Sequence, residues 1–300
     1  MKKMLRSLIW TTMIVPFLPA VAQAASAPAT PQMRTYVSGL GSDTNPCSAS
    51  LPCSSFRAAL ALTAAGGEIY VLNSANYGAV TINKAVTVTS ESAVAGILAT
   101  SGVGLTIQAG AGDVINLRGL DIDGGNSGST GIQFVSGQAL TIQKSVVRGF
   151  ANSGIVFSPT GAASLFVSDT TVTNNHGNGI LVSGTVTGAL NRVTASGNGV
   201  GIFASGAGVS LTLTNTVAGN NIYGIGANAS VVIVANSTVS SNAVGISADQ
   251  TAVARISQST VTGNGTGLQA ANGGQMLSFG NNNVSGNGTD GVATTTTAMQ

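Results

Sequence analysis

The charged residues that could do chemistry are concentrated in one region of this sequence. Charged residues make up only 7% of the chain, yet one stretch of about three repeats carries several carboxylates together with basic side chains. These are Asp121, Asp123, Lys144, Arg148, Asp169 and Arg192. Neighbouring carboxylates can hold a divalent cation or act as the acid and base that cleave a glycosidic bond, and a nearby arginine or lysine can accept a proton. The six residues are therefore the candidate catalytic residues, and Asp121 and Asp123 are the candidate calcium ligands.

A structural role is the alternative for the same residues. If successive repeats stack about 4.8 Å apart, the charges fall into columns of alternating sign. The columns are Lys144, Asp169 and Arg192, and Asp123 with Arg148. Opposite charges on adjacent strands contribute only roughly 0.2–1 kcal/mol each. Above Asp121 the next repeats offer Val146 and Thr171, where a calcium site would need further carboxylates, and this favours the structural role.

Repeats of 21 to 25 residues must position these side chains. A glycine followed by isoleucine, leucine or valine recurs at Gly131, Gly154, Gly179, Gly201, Gly224, Gly245, Gly267 and Gly291. An apolar track keeps the same step at Ile122, Val147, Val172, Ala195, Val217, Val239, Val261 and Val284. An asparagine track follows it at Asn175, Asn198, Asn220, Asn242, Asn264 and Asn287. We predict a structural asparagine ladder rather than a catalytic set, because asparagine tolerates left-handed bends and stacked amides can hydrogen-bond between coils.

The repeats predict an all-β fold. Each holds three short pieces with apolar residues at every second position, as in strands, and such pieces bury a face only by stacking on the next repeat. The sequence therefore predicts a right-handed parallel β-helix, a three-faced solenoid with about 22–23 residues per coil. Residues 54–65 predict a short capping helix, with Ser54 or Ser55 as N-cap and Gly66-Gly67 as its end, that covers the open first coil.

The N-terminus is typical of an exported protein. Three basic residues precede the apolar residues 8–15, and a small-residue motif predicts cleavage of a signal peptide after Ala24. The apolar run is interrupted by prolines and is too short to span a bilayer, so we expect no membrane span. Removal of this segment leaves eight basic against nine acidic residues, a balance that argues against a nucleic-acid partner. We expect a secreted or periplasmic protein.

The two cysteines and the repeat boundaries complete the predicted organisation. In an exported protein Cys47 and Cys53 are expected to form a disulfide that closes a short loop, with two free thiols as the alternative. The predicted divisions are a signal peptide at 1–24, a flexible linker at 25–34, an N-terminal cap and first coils at 35–95, β-helix repeats at 96–288, and a C-terminal tail at 289–300.

Two further residue groups were candidates for function. His176, the lone histidine of the chain, lies in a bend, where a solvated side chain is the usual outcome, although its position near the charge cluster leaves an acid-base role open. The second group is a strip of threonines that precede the apolar track, namely Thr171, Thr194, Thr216, Thr238 and Thr260. Such strips resemble ice-binding faces, but threonine is also a favoured strand residue.

The N-terminal part of the sequence resembles a known superfamily. The segments TYVSG (35–39), GSD (41–43) and GEIYV (67–71), with the Pro-Cys segment and the helix between them, are similar to secreted bacterial proteins of the pectin-lyase-like, right-handed β-helix superfamily. The resemblance implies the fold but not a particular activity, because the superfamily includes lyases, hydrolases, epimerases and adhesins. Its lyases hold calcium with several carboxylates and use arginine or lysine as base. No complete lyase or hydrolase motif is found in this sequence.

These observations lead to three expectations about function. The favoured one is a non-catalytic, exported module that binds a polysaccharide or another cell-surface glycan. The alternative is a polysaccharide lyase or hydrolase that acts on an acidic glycan, and ice binding is a remote third. No cofactor is evident, and calcium is expected only for a lyase. A concave groove at the charge cluster would favour the enzyme, whereas short coils predict a flat outer face and therefore binding.

Overall fold

The computed structural model describes residues 30–297, which form a right-handed parallel β-helix of about nine turns. The predicted fold class is therefore confirmed. The predicted signal peptide and the first residues of the predicted linker lie outside the described residues. No helix within the described part of the chain is both long and apolar enough to cross a bilayer.

Each complete coil contributes one strand to each of three faces, and the first and last strands extend face 1 alone. The strands of face 1 are Gln32–Val37, Thr63–Val71, Val86–Thr89, Val114–Arg118, Ala139–Gln143, the first part of Ala163–Thr173, the first part of Val186–Ser196, Val209–Thr214, Val231–Ala235, Val253–Ser257, Gln275–Ser278 and Thr295–Thr296. The strands of face 2 are Ala75–Asn76, Ala95–Leu98, Leu120–Asp123, Val146–Arg148, the ends of the two long strands, Val217–Gly219, Thr238–Ser240, Thr260–Thr262 and Asn283–Val284. The strands of face 3 are Val80–Ile82, Val103–Gln108, Thr130–Ser136, Ser153–Phe157, Asn178–Ser183, Val200–Ser205, Tyr223–Asn228, Val244–Asp249 and Thr266–Ala271.

The interior of the solenoid consists of columns of like residues. The isoleucines that follow the repeated glycines pair in register from coil to coil on face 3, as Ile155 does with Ile180, and these two are fully buried. Phe134 and Phe157 stack with ring centroids 4.3 Å apart. Because strand side chains alternate in direction, one apolar residue at every second position is enough to fill the core while its neighbours face solvent.

The corner between faces 1 and 2 contains a column of buried hydroxyl groups that the sequence analysis missed. Its members are Ser145, Thr170, Thr216, Ser237 and Ser259. Each hydroxyl donates to the backbone carbonyl two residues earlier, as Ser237 does to Ala235 at 2.8 Å. Several also accept a backbone N–H from the preceding coil, as Ser237 does from Thr216 at 3.1 Å. The column therefore satisfies buried polar groups where the backbone turns.

The corner between faces 2 and 3 contains the asparagine ladder, with one correction. The backbone N–H and side-chain amide of Asn198 both donate to Oδ1 of Asn221, at 2.8 and 3.2 Å, and Asn221 donates in the same way to Asn242. The prediction of Asn220 is wrong, because Asn220 is exposed while Asn221 is buried. Asp290 accepts the last amide, that of Asn287.

The same one-residue error affects the apolar track. Ala218, not Val217, faces the interior and pairs with Ala195 and Val239, while the side chain of Val217 is 41% exposed. A shift of one residue turns a strand side chain to the opposite face. The remaining predicted members of the inward track occupy interior or partly buried positions.

The N-terminal cap is shorter than predicted. The helix covers Phe56–Leu62 with Ser55 as its N-cap, and Thr63 already begins a strand, so Gly66-Gly67 does not end the helix. Phe56 packs on Tyr77 with ring centroids 5.1 Å apart. With Leu60 it lies against the first coil's inward residues Ile69 and Ile82, so this helix covers the open end of the interior.

Asp43 fixes the start of this helix. Its two carboxylate oxygens accept four hydrogen bonds, from the backbone and hydroxyl groups of Ser54 and Ser55, at 2.7–2.9 Å. Partial burial alone would raise the pKa of Asp43, but the hydrogen bonds from Ser55 and Ser54 outweigh it and lower that pKa. The ionised carboxylate is therefore the form that organises the cap.

The disulfide and both ends of the described chain refine the predicted divisions. Cys47 and Cys53 are bonded to each other, which confirms the predicted disulfide. The strand Gln32–Val37 begins within the predicted linker and pairs with Thr63–Val71. In the predicted tail, Thr295–Thr296 pairs with Leu277–Ser278 and continues face 1 by one further short strand.

Candidate functional site

Three of the candidate charged residues lie on the corner between faces 1 and 2. Lys144, Asp169 and Arg192 occupy equivalent positions of three consecutive coils, each with a positive φ of 47–53°. Arg192 donates hydrogen bonds to both carboxylate oxygens of Asp169, at 2.6 and 2.8 Å. The hydrogen bond from Arg192 lowers the pKa of Asp169, and the charge of Lys144 adds to that shift. This group is an exposed ladder of alternating charge.

The other three candidates form a separate cluster on face 2. Asp121 and Asp123 project from one strand, and Arg148 projects from the strand above, paired in register with Asp123. The guanidinium bridges both carboxylates, at 2.6 Å to Oδ1 of Asp121 and 3.0 Å to Oδ2 of Asp123. The three side chains are between about a quarter and two fifths exposed. The structure thus divides the predicted cluster of six into two groups of three.

The face 2 cluster lies in a groove of about 400 Å³. Its lining residues come from four consecutive coils, and they are Ser74, Ala75, Asn76, Val94, Gly96, Ile97, Leu98, Asp121, Asp123 and Arg148. The groove has a simple origin in the register, because Asn76, Gly96 and Asp121 form one outward column. Gly96 has no side chain, so the column has a gap between the amide of Asn76 and the carboxylate of Asp121.

This groove is shallow and open to solvent, so it is a local departure from the flat outer face that the short coils predicted. That expectation was based on the short, regular coils after about Leu105, whereas the walls of the groove come from the less regular coils before it. Val94 and Leu98 are 54% and 51% exposed there and form apolar walls. Asn76 uses its side-chain oxygen to accept the backbone N–H groups of Gly78 and Leu98, and its side-chain N–H groups have no acceptor among residues 30–297.

Asn76, Val94 and Leu98 were missed by the sequence analysis. The coil that holds Val94 and Leu98 has a Gly-Leu pair at 104–105, but this pair lies further from Gly131 than the 21 to 25 residues of the other steps, so no track connected these residues to Asp121. Asn76 and Leu98 are 22 residues apart, and this separation of one coil length was the available indication that two strands of face 2 are stacked there.

The donor set at Asp121 and Asp123 does not fit a calcium ion. Calcium takes six to eight oxygen ligands, and one oxygen of each of these carboxylates already accepts a hydrogen bond from Arg148. Oδ1 of Asp123 also accepts the backbone N–H of Gly125 at 2.8 Å. Within residues 30–297, no group of three or more histidine, cysteine or carboxylate side chains could hold a metal.

The two remaining candidates lie outside the groove. His176 is an exposed bend residue whose backbone N–H donates to Phe150. The predicted threonine strip is wrong at one position, because the residue paired with Thr194 and Thr238 is Val217, and Thr216 is 1% exposed. An exposed valine therefore interrupts the hydroxyl strip in the middle of face 2.

Solved structures similar to this chain share its fold at low sequence identity. Pectate lyase Pel9A gives a TM-score of 0.53 at 15% identity and covers 86% of this chain and 71% of its own. The enzymatically active domain of tailspike protein 2 from bacteriophage CBA120 gives 0.60 at 12% identity, and this chain spans only 39% of its length while 73% of this chain is covered. The A-module of mannuronan C-5 epimerase AlgE4 from Azotobacter vinelandii gives 0.51 at 14% identity and covers 78% of this chain and 91% of that module.

Comparison of sequences gives the family. No curated protein sequence matches the chain. Residues 130–287 match the family model described as a right handed beta helix region, and this match covers more than half of the chain. It coincides with the regular coils in which the Gly-Ile pairs and the asparagine ladder repeat. The chain therefore belongs to the right-handed β-helix family.

Proposed function

We propose that this protein is an exported, non-catalytic β-helix that binds a polysaccharide or another surface glycan in the face 2 groove. The observation that carries the proposal is the lining of that groove, in which a carboxylate pair, an arginine and an amide face two exposed aliphatic side chains. Pyranose rings combine hydroxyl groups with apolar C–H faces, so they suit a site that mixes hydrogen-bonding groups with apolar surface.

The polar groups of the groove can act as both donors and acceptors. Oδ2 of Asp121 accepts no hydrogen bond within the described residues, while Oδ1 is held by Arg148. The amide of Asn76 and the second terminal nitrogen of Arg148 are donors whose hydrogens have no acceptor in the described part of the chain. The amide of Asn76 and the carboxylate of Asp121 are separated in their column by Gly96 alone. Such a pair can bind vicinal hydroxyl groups, because each hydroxyl both donates and accepts.

The hydrogen bonds of Arg148 favour binding over catalysis. A glycoside hydrolase needs one carboxyl to donate a proton and a second to act on the anomeric carbon or a water. Here a single guanidinium bridges the two carboxylates at 2.6 and 3.0 Å. A lyase of the kind the superfamily implies would also need a calcium site, and these residues do not fit one.

Export is supported from two directions. The N-terminal sequence predicts a signal peptide, and the disulfide between Cys47 and Cys53 is a bond that persists in oxidising compartments. The fold neighbours add support for a glycan partner, since they include a pectate lyase and a mannuronan C-5 epimerase.

A polysaccharide lyase or hydrolase remains the second candidate because of one observation. The charge cluster borders a shallow depression of about 400 Å³ rather than a completely flat face. An enzyme acting on an acidic glycan would place the sugar carboxylate beside Arg148, and Asp121 and Asp123 would then be the residues closest to the reacting bonds.

Binding and cleavage can be separated with the mature protein. We would measure binding to a panel of acidic and neutral polysaccharides by affinity electrophoresis, and product formation by unsaturated ends and reducing ends, with and without calcium. We expect binding without products, and we expect Asp121→Asn to weaken it about tenfold or more. Asp169→Asn is the matched control, since it alters the same type of ion pair outside the groove.

Three outcomes would overturn the proposal. If the wild-type protein binds none of the polysaccharides in affinity electrophoresis, glycan binding by the groove is excluded. Product formation that is abolished by Asp123→Ala would establish the enzyme instead. Equal losses in Asp121→Asn and Asp169→Asn would move the binding site away from the groove.

A further inference from the structure

A second depression, of about 370 Å³, lies on face 3 toward the C-terminal end of the solenoid. It is separate from the face 2 groove, and its residues belong to four consecutive coils. The side chains that determine its chemistry are Phe203, Tyr223, Ser247, Asp249, Gln269 and Asn272. Its volume lies within the roughly 300–1,000 Å³ typical of small-ligand sites.

The depression is formed by one glycine in an outward column. Phe203, Gly226, Ser247 and Gln269 pair in register on successive strands of face 3. A Cβ atom at Gly226 would lie 2.8 Å from Cδ2 of Phe203, so the phenylalanine ring leans over the space that the glycine leaves. The result is a floor of backbone and small side chains beside an aromatic wall.

The second aromatic side chain adds to this wall. Tyr223 pairs with Val200 on the neighbouring strand and is 39% exposed. Its hydroxyl makes no hydrogen bond within residues 30–297. Phe203 and Tyr223 therefore present ring surface to solvent from adjacent coils, although they are twenty residues apart in the sequence. Stacking of this kind on an aromatic ring is favourable for the C–H face of a sugar or for another flat apolar surface.

The opposite wall is polar. Oδ1 of Asp249 accepts hydrogen bonds from the backbone of Gln250 at 2.9 Å and from the amide of Asn272 at 2.7 Å. These bonds fix the carboxylate, and its Oδ2 has no partner among the described residues. The side chain of Gln269 is exposed and has no hydrogen-bond partner in the same range. An oriented acceptor and a free amide therefore face the aromatic wall.

We propose that this depression binds an uncharged pyranose unit of an oligosaccharide or polysaccharide. The aromatic wall takes the C–H face of the ring, and Asp249 with Gln269 takes the hydroxyl groups of its edge. No basic side chain is among the lining residues, and Asp249 repels a carboxylate or sulfate, so the site selects against acidic sugars. The inference does not depend on the face 2 groove, because the two sites share no residue.

The test uses the mature protein and neutral hexasaccharides of glucose, mannose and N-acetylglucosamine as probes. Saturation-transfer NMR detects contact, and titration calorimetry measures the dissociation constant. We expect at least one hexasaccharide to bind, and trigalacturonate not to compete with it. Tyr223→Ala and Asp249→Asn should each weaken binding about tenfold or more.

A third variant tests the shape of the site without removing a polar group. Gly226→Val adds an outward β-branched side chain to a strand, which suits the strand conformation but fills the floor of the depression. We expect this variant to fold and to lose binding. Phe166→Ala is the matched control, because Phe166 lies on face 1 and is 39% exposed, the same fraction as Tyr223.

The possible results are distinct. Absence of binding to every neutral hexasaccharide at millimolar concentration would overturn the inference, as would binding that survives both Tyr223→Ala and Gly226→Val. Binding that Asp121→Asn weakens and Tyr223→Ala does not would place the sugar in the face 2 groove. That result would reject this second site and support the first.

Discussion

Replacement of Asn221 by alanine would remove one rung from the asparagine ladder. The side chain takes part in four hydrogen bonds. Its oxygen accepts the backbone and side-chain N–H groups of Asn198, and its amide donates to the carbonyl of Ala195 at 3.1 Å and to Oδ1 of Asn242 at 3.0 Å. Asn221 is only 6% exposed and Asn198 only 4%, so water does not readily replace these partners.

The expected loss of stability follows from these contacts. A buried hydrogen bond contributes about 1 kcal/mol net, and a buried donor left without a partner costs about 1–3 kcal/mol. The backbone N–H of Asn198 would lose its acceptor in the variant, and the amide of Asn198 would lose one of two. We therefore expect Asn221→Ala to lower the free energy of unfolding by about 3–5 kcal/mol.

The neighbouring residue provides the control. Asn220 is exposed and has a φ of 56°, a left-handed conformation that glycine adopts without strain. Asn220→Gly should change the free energy of unfolding by less than about 0.5 kcal/mol. Both variants would be compared by guanidinium unfolding followed by far-UV circular dichroism, with hydrogen exchange at the Asn198 amide as a local measurement. The reasoning is refuted if Asn221→Ala is no less stable than Asn220→Gly, or if the Asn198 amide stays equally protected.

Three further perturbations have outcomes that the structure determines. Replacement of Cys47 and Cys53, which are six residues apart, by serine should cost about 2 kcal/mol from the loop-closure term, measured by chemical unfolding, and a reducing agent should lower the stability of the wild-type protein alone. Asp43→Asn should cost about 1 kcal/mol at neutral pH by weakening the helix cap. Because the folded-state pKa of Asp43 is lowered, this difference should be constant above the ordinary aspartate pKa and disappear as the pH falls through the lowered value, as pH-dependent melting would show. Phe157→Ala removes a fully buried ring stacked on Phe134 and should cost about 3–5 kcal/mol in unfolding free energy, with a smaller loss for Phe157→Leu.

The sequence predicted the regular coils well because their rules are local and repeated. A parallel solenoid places equivalent residues above one another, so each column needs the same kind of side chain, and the Gly-Ile pairs record this directly. Ile155 and Ile180, for example, which follow Gly154 and Gly179, are fully buried and paired in register.

The error at Asn220 shows where local rules fail. The segment around it offers two asparagines in succession and two small apolar residues, Val217 and Ala218, so both registers look acceptable. Only the neighbouring coils select one of them, because Oδ1 of Asn221 must reach the backbone N–H of Asn198 at 2.8 Å. The helix ends at Leu62 for a similar, non-local reason. Thr63 is the first residue of a strand that pairs with Gln32–Val37.

The sequence predicted the two columns of charged residues, but not that the columns face in different directions. Spacing placed Asp121 and Asp169 in one candidate cluster, whereas the backbone turns at the corner between faces 1 and 2 and points them in different directions. The groove beside Asp121 depends on Asn76 and Leu98 from earlier, irregular coils.

The sequence by itself determined the architecture, namely a stack of three-stranded coils with an inward apolar track, an asparagine ladder, a helical cap and a disulfide loop. These features follow from residue type at a fixed period, which is information that a single chain contains. Only the tertiary structure decided the exact rung at Asn221, the bridge of Arg148 across two carboxylates, and the two depressions on faces 2 and 3. Those depend on the lateral register of neighbouring coils, where missing side chains at Gly96 and Gly226 create space that no local pattern records.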